Sequence, residues 1–426
     1  MESKTAEELL QFIGESPSAF HAVDTMKRML DARQYEQLLE GDTWELSPGG
    51  KYYVIRGGTS LIAFRIPSAK IKSRVHGGFR GFQIMASHSD SPTFKVKENP
   101  EMEAEKAYVK LNVEKYGGML IAPWFDRPLS VAGRLIVREN GRIVSKLVNV
   151  DKDLLLIPSL AVHMDRQANE GHKYNVQKEL LPLYGMIGAK GTFLRAVAES
   201  AGVSEEDILG HEMFLYSRVR GTIWGAEAAA EECESIPVHC VFDNEEVGSS
   251  TKQGAASTFL ADTLVRINES LGRTPGEYRQ AIASSFMVSA DNAHAVHPNF
   301  AEAACPTNRP VLNEGIVLKY SANQKYTTDG VSAALWKQLC ENANVLYQTF
   351  LNRADMIGGS TLGNLSGNQV AVCCVDIGLP QLAMHSPYET AGVKDTEALV
   401  RAAKALFESS VEESGYGSYR LIKSGC

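Results

Sequence analysis

No stretch of the sequence is apolar for long enough to span a bilayer, and the amino terminus, MESKTAEELLQF, has neither a basic start nor the apolar block of a secretion signal. A cytoplasmic location with no membrane partner is the expectation. Long basic runs are missing too, and the formal charge of −8 argues against nucleic acid as a partner. No CxxC pair occurs, so a thiolate zinc site is not expected. The seven cysteines are an odd number, and Cys373 and Cys374 are neighbours in one strand, which suits reduced packing residues better than a disulfide framework. Internal repeats and low-complexity segments are absent as well.

What remains is 426 residues of ordinary globular composition, more than one core holds, so about two domains are expected. Helical spacing over Thr5 to Arg33, broken at Ser16 to Ser18, opens the chain, with His21 read as a packed histidine. Lys51 to Ile66 reads as a hairpin about Gly57 and Gly58. The glycines of GGFRG, 77 to 81, precede a strand instead of following one and are discarded as a phosphate loop. From about Phe94 the texture is β-rich for over a hundred residues, with Asn140 and Gly141 as a hairpin signal. Later come a helix over Gly254 to Leu271, strands at Ser285 to Ala290, Gly315 to Tyr320, Leu346 to Arg353 and Gly367 to Leu379, and a glycine-rich turn, DMIGGSTLG. A last helix capped by Asp395 runs to about Glu413, followed by a mobile tail.

Chemistry gathers where strands end. Val238, Cys240 and Phe242 alternate as a buried strand that stops in Asp243, Asn244, Glu245 and Glu246, with Gly248 free to turn the chain away. Adjacent glutamates point in different directions, so one can face a metal while the other serves as a general base. The strand Phe82 to Ser87 delivers His88 and Asp90, which share a face because the side-chain period is two, and a carboxylate there can orient a metal-bound imidazole. Asp291 and His385 follow two further strands. In an open α/β sheet such ends converge. Nitrogen and oxygen donors without thiolates suit zinc, with manganese or cobalt as replacements, and the surplus of carboxylates suggests a pair of ions. The polar stretch around His163, Leu160 to Leu183, is a further candidate.

The segments SHSDSP, PWFDRPLSVAGR, IPSLAVHMDRQANEG, DNEEVGS, SADNAHAVHPN and AMHSPYE, in that order, resemble the motifs of the aspartyl aminopeptidase family of co-catalytic dinuclear zinc metallopeptidases. The resemblance implies an α/β metallopeptidase domain, residues 1–93 and 221–426, built on a mixed sheet with helices on both faces. It also implies an inserted β-rich dimerisation domain, 94–220, and a homo-oligomer, a tetrahedral dodecamer built from dimers. It implies that His88 and Asp291 bind one divalent ion, and Glu246 and His385 the other. Glu245 would be the general base acting on a metal-held water, Asp90 would orient His88, and His163 would reach the site of a neighbouring subunit. His294, Lys319 and Tyr326 would contact substrate, the lysine favouring peptides with an amino-terminal Asp or Glu. The alternatives are a catalytically impaired member that acts in assembly or as cargo, and an aminopeptidase of broader specificity.

One expected ligand is missing. The family places a bridging aspartate between the inserted domain and the DNEE strand, but no aspartate occurs from Ile208 to Phe242. Either the segment is deleted, leaving a metal-poor protein, or the sequence closes over residues omitted near 224–234, and the second account is the expectation. Sequencing the encoding transcript across 224–234 should recover an extra segment that carries an aspartate; an uninterrupted frame with no added codons would establish a deletion.

Overall fold

A computed structural model describes residues 2–68, 81–223, 237–356, 358–413, 415 and 417–423. The GGFRG glycines before Gly81, and the 224–234 stretch where an omission is expected, lie outside the described residues. Two amphipathic helices open the chain, α1 (Glu2–Glu15) and α2 (Ala19–Ala32), separated where Ser18 accepts a bond from the His21 amide as an N-cap. Strands β1 (Glu36–Leu38), β2 (Lys51–Arg56), β3 (Ser60–Arg65) and β4 (Gln83–His88) follow. The next block holds β5 (Thr93–Ala104), β6 (Tyr108–Tyr116), β7 (Leu129–Glu139), β8 (Arg142–Asn149), α3 (Val176–Glu179), β9 (Leu183–Met186), α4 (Phe193–Ala201) and β10 (Ile208–Ser217). The chain then returns through β11 (Pro237–Phe242), α5 (Phe259–Ser270), α6 (Pro275–Ala283), β12 (Phe286–Ala290), β13 (Ala293–His294), β14 (Ile316–Lys319), α7 (Gly330–Asn342) and β15 (Tyr347–Phe350). It closes with α8 (Leu362–Ser366), β16 (Cys373–Gly378), β17 (Pro380–Leu382), β18 (Thr390–Ala391), α9 (Val393–Phe407), β19 (Ser409–Glu413) and β20 (Tyr419–Lys423).

These strands form a nine-stranded mixed sheet in the order β1-β2-β3-β11-β4-β12-β16-β14-β15 and a six-stranded antiparallel sheet in the order β8-β7-β10-β5-β6-β9. In the large sheet β11, β4, β12 and β16 are mutually parallel neighbours. Parallel strands covered on both faces need apolar residues at successive positions. Ile84 and Ala86 accordingly pack with Phe259, Leu264 and Ile267 of α5 on one face, while Met85, Phe286 and Val288 pack with Trp336 of α7 and Leu406 of α9 on the other. The six-stranded sheet has its own core, in which Phe94, Leu111, Val131 and Leu215 meet Phe193 and Val197 of α4. The mixed α/β class, with helices on both faces of one sheet and a separate β-rich unit, is as the sequence led one to expect.

Several boundaries differ from expectation. Helix α5 starts at Phe259, because the chain before it is folded into turns, with Gly254 N–H on the Thr251 carbonyl, Ala256 N–H on that of Ser249 and Ser257 N–H on that of Gly254. Asp395 does not cap the last helix; Gly392 does, and the buried Asp395 carboxylate instead accepts the amides of Asn313 and Gly315 at 2.7 and 2.9 Å. That helix stops at Phe407, and the tail pairs as the β19–β20 hairpin, anchored by buried Val411. Among the described residues no helix is long and apolar enough to cross a membrane. Leu264, fully buried between α5 and the large sheet, gives a test of this packing: Leu264→Ala should lower the unfolding free energy in denaturant titration by about 2–5 kcal/mol, and a loss under about 1 kcal/mol would contradict the placement.

Candidate metal centre

The carboxyl ends of the four parallel strands lie side by side. Phe242 pairs with His88 across β11 and β4, so the acidic turn after β11 begins beside the His88 ring. Asp291 directly follows β12, whose neighbour β16 leads through β17 to His385. The acidic turn is compact because Asn244 and Gly248 both take left-handed backbone, at φ 61 and 97, around a short 3-10 turn of Glu245–Val247. Its amides have a common acceptor: Glu245 N–H donates to Asp90 Oδ1 at 3.1 Å and Glu246 N–H to Oδ2 at 3.2 Å. His385 is also left-handed, at φ 66, a costly state for a residue with a Cβ. It is held there by its amide on Glu389 Oε1 and by its carbonyl, which accepts from Leu120 N–H at 3.1 Å.

Two pairs of donor atoms result. His88 Nε2 stands 3.7 Å from Asp291 Oδ1, and His385 Nε2 stands 3.5 Å from Glu246 Oε2. Ligand atoms of His88, Glu245 and Glu246 all lie within 4.8 Å of one another. Such a cluster of one imidazole and two carboxylates offers nitrogen and oxygen donors of the kind zinc accepts. The far nitrogen of His88, Nδ1, faces the Asp90 backbone carbonyl at 3.0 Å and the Asp90 carboxylate at 3.4 Å. The ring is therefore oriented chiefly by a peptide oxygen, while the Asp90 carboxylate is mainly occupied with the acidic turn.

Burial raises Glu245 to about 7 and Glu246 to about 8, with the crowded carboxylates Asp291 and Asp90 adding to it and His88 partly opposing it. Burial alone would depress the His88 imidazole, yet Asp291 and Asp90 outweigh it and hold the pKa well above the ordinary value. Burial would raise the Asp291 carboxyl, but Lys319 and then His88 hold it far below the usual range. Protons thus stand where cations are needed.

The other expected residues fall into two groups. His294 and Tyr326 both face the Phe350 ring, at centroid distances of 6.0 and 6.4 Å, on the flank of the site. Lys319 is not a free ammonium. It is 2 % exposed and donates to the Asp291 carbonyl (2.7 Å), the Asn292 carbonyl (3.1 Å) and Asp291 Oδ2 (3.3 Å). A buried charge must be paired, and in this structure the lysine is engaged with the backbone and carboxylate of Asp291. His163 is exposed in an irregular stretch, and among the described residues no hydrogen bond or ion pair joins it to the cluster. The sequence reading missed Glu389, although it lies within AMHSPYE, and it missed Tyr116 and Asn244, whose roles depend on a contact between distant strands.

A family model described as Aminopeptidase I zinc metalloprotease (M18) matches residues 12–230 and 227–407, two stretches that meet where the bridging aspartate was expected. A probable M18 family aminopeptidase 2 of Clostridium acetobutylicum is 42 % identical over 422 aligned positions, covering 92 % of this chain and 96 % of the relative. Since 92 % of 426 residues is about 392, about 30 of those positions have no counterpart here. Among solved structures, the cryo-EM structure of the Ape4 and Nbr1 complex superposes with a TM-score of 0.89 at 33 % identity, covering 95 % of this chain and 86 % of that one. The S. cerevisiae mApe1 dodecamer superposes with a TM-score of 0.79 at 27 % identity, covering 94 % and 96 %.

Zinc suits the nitrogen and oxygen donors found here. Because protonated Glu245 and Glu246 compete with it, affinity should rise with pH from 6 to 8 and binding at pH 7 should release protons. Calorimetry in buffers of different ionisation enthalpy measures that release, and a binding heat independent of buffer would contradict it. With a match across most of its length and a relative at 42 % identity, the chain belongs to the M18 family of zinc metalloproteases and is a metal-dependent aminopeptidase.

Proposed function

We propose that the chain removes amino-terminal Asp or Glu from peptides, using two divalent ions, with Glu245 as the proton carrier. The observation that supports this best is the pair of imidazole–carboxylate couples, His88 with Asp291 and His385 with Glu246, flanking a third carboxylate, Glu245. His88 and Asp291 would hold one ion, and Glu246 and His385 the other. Bound there, the ions supply Lewis acidity toward the scissile carbonyl and an attacking water. Glu245 would take a proton from the attacking water and return it to the departing amine. Without metal, burial holds the Glu245 carboxyl near 7; ions bound beside it would lower it and leave it ionised, as a proton acceptor must be. Asp90 fixes both glutamates through their amides, so neither needs to reorganise as charge develops.

For the first side chain we favour an acidic one. The supporting feature is the Lys319 ammonium, 5.2 Å from the Tyr326 ring, with His294 within its electrostatic reach. With its donors committed, Lys319 attracts a carboxylate through its field. The division into a catalytic unit, 1–93 and 221–426, and an inserted unit, 94–220, is part of the same proposal. So is assembly as a dodecamer like the yeast relative. Exposed Leu160, Val162 and Met164, at 59, 50 and 76 %, flank His163 and would be covered by a neighbouring subunit. A second reading, a non-catalytic member acting in assembly, is favoured by one observation, the absence of an aspartate between Ile208 and Phe242.

Glu245→Gln should lower kcat for aspartyl substrates by at least about a hundredfold while zinc still binds; near-normal turnover would remove Glu245 from its role. Lys319→Met should reduce kcat/KM for an aspartyl substrate about tenfold more than for a leucyl one. Equal losses would confine Lys319 to holding Asp291. Failure of the full-length protein to bind any metal would favour the non-catalytic reading.

A further inference from the structure

Among the described residues, the end of β6 is where the inserted sheet reaches Asp90 beside the metal centre. Tyr116 belongs to the six-stranded sheet and is braced there edge-on by Phe214, with ring centroids 5.5 Å apart at 77°. Its hydroxyl leaves that sheet and donates to Asp90 Oδ2 at 2.7 Å, while accepting from Asn244 Nδ2 at 2.9 Å. Asn244 Oδ1 in turn accepts from Thr251 Oγ1 at 2.7 Å. Asp90 is only 6 % exposed, and its carboxylate also receives the amides of Glu245 and Glu246. An acceptor so buried is stable only with its donors in place.

The next residues make two further contacts. Gly117 has φ 77, and a Cβ built on it would stand 3.0 Å from Glu246 Cβ and 3.2 Å from the Glu246 carbonyl oxygen. Leu120 N–H donates to the carbonyl of His385, 3.1 Å away. Three successive points of one segment thus bear on Asp90, Glu246 and His385.

We infer that the segment from Tyr116 to Leu120 is a positioning element, by which the inserted sheet sets the geometry of the metal-ligand turn and of His385. This rests on the proposed reading of Glu246 and His385 as ligands. Tyr116 touches no reacting atom and acts through Asp90. The inserted unit therefore contributes to metal affinity in addition to any part it has in assembly, and loosening its contact with the large sheet would weaken metal binding without removing a ligand.

The test compares Tyr116→Phe with Tyr216→Phe in the full-length protein. Tyr216 is a control of the same chemistry, since its hydroxyl bonds Asn149 Oδ1 at 2.7 Å within the inserted unit. Zinc affinity is read by chelator competition, and the ligand field by the visible absorption of the cobalt-loaded protein. Tyr116→Phe should weaken zinc binding about 10–100-fold, alter the cobalt bands and lower kcat at saturating metal with KM within about twofold. Tyr216→Phe should match the unsubstituted protein. Gly117→Ala, which pushes on Glu246 and leaves every hydroxyl in place, should move affinity and spectrum in the same direction. Unchanged affinity and spectrum in both Tyr116→Phe and Gly117→Ala would overturn the inference while leaving the ligand assignment intact. No metal binding by the unsubstituted chain would defeat the ligand assignment, and the inference with it.

Discussion

Four carboxylates, Asp90, Glu245, Glu246 and Asp291, share a largely desolvated space at one end of the large sheet, and that crowding governs the rest. Ionised together without cations they would repel strongly in a medium that screens poorly. The protein relieves this in three ways. Asp90 is satisfied by two amides and a tyrosine hydroxyl, Asp291 by Lys319 and His88, and the two glutamates by retaining protons near neutral pH. In the proposed reading, cations would take the place of those protons, so zinc binding and proton release would be linked.

The fold supplies the crowding cheaply. Parallel strands β11, β4, β12 and β16 end at one level about 4.8 Å apart, so residues separated by two hundred positions meet without long loops. Both faces of those strands are sealed by apolar helices, which fixes strand position and leaves the carboxyl ends open for chemistry. Lys319 shows how far this economy goes: it occupies a strand end and serves Asp291 before it can serve substrate.

Much of this was legible in the sequence because it is local. Alternation in VHCVF and the abrupt DNEE turn locate a strand end, and His88 with Asp90 has a spacing that needs only strand geometry. His385, like Asp291, could be placed at a strand end, whereas the roles of His294 and Tyr326 were found by likeness to a family, since nothing in their spacing distinguishes them from ordinary loop residues. Where the sequence misled, tertiary contacts decided. Asp395 looks like an N-cap but accepts amides from Asn313 and Gly315 across the fold. The tail after Glu413 looks mobile, yet Tyr419–Lys423 pairs with β19 and Leu421 packs against a core. Lys319 looks like a free cation, and only the path of the chain through Asn292 shows its donors taken. Tyr116 has no local signal at all, because its meaning lies in Asp90, on a different sheet.

No aspartate occurs between Ile208 and Phe242, and about 30 aligned positions of the Clostridium relative have no counterpart in this chain. The proposal places the ions at the two donor pairs, His88 with Asp291 and His385 with Glu246. Anomalous diffraction at the zinc absorption edge from zinc-loaded crystals tests this most directly. The account predicts zinc about 2.0–2.2 Å from His88 Nε2 and Asp291 Oδ1, and a second zinc at the same distances from His385 Nε2 and the Glu246 carboxylate. Zinc bound elsewhere, with these four side chains free of metal, would contradict it.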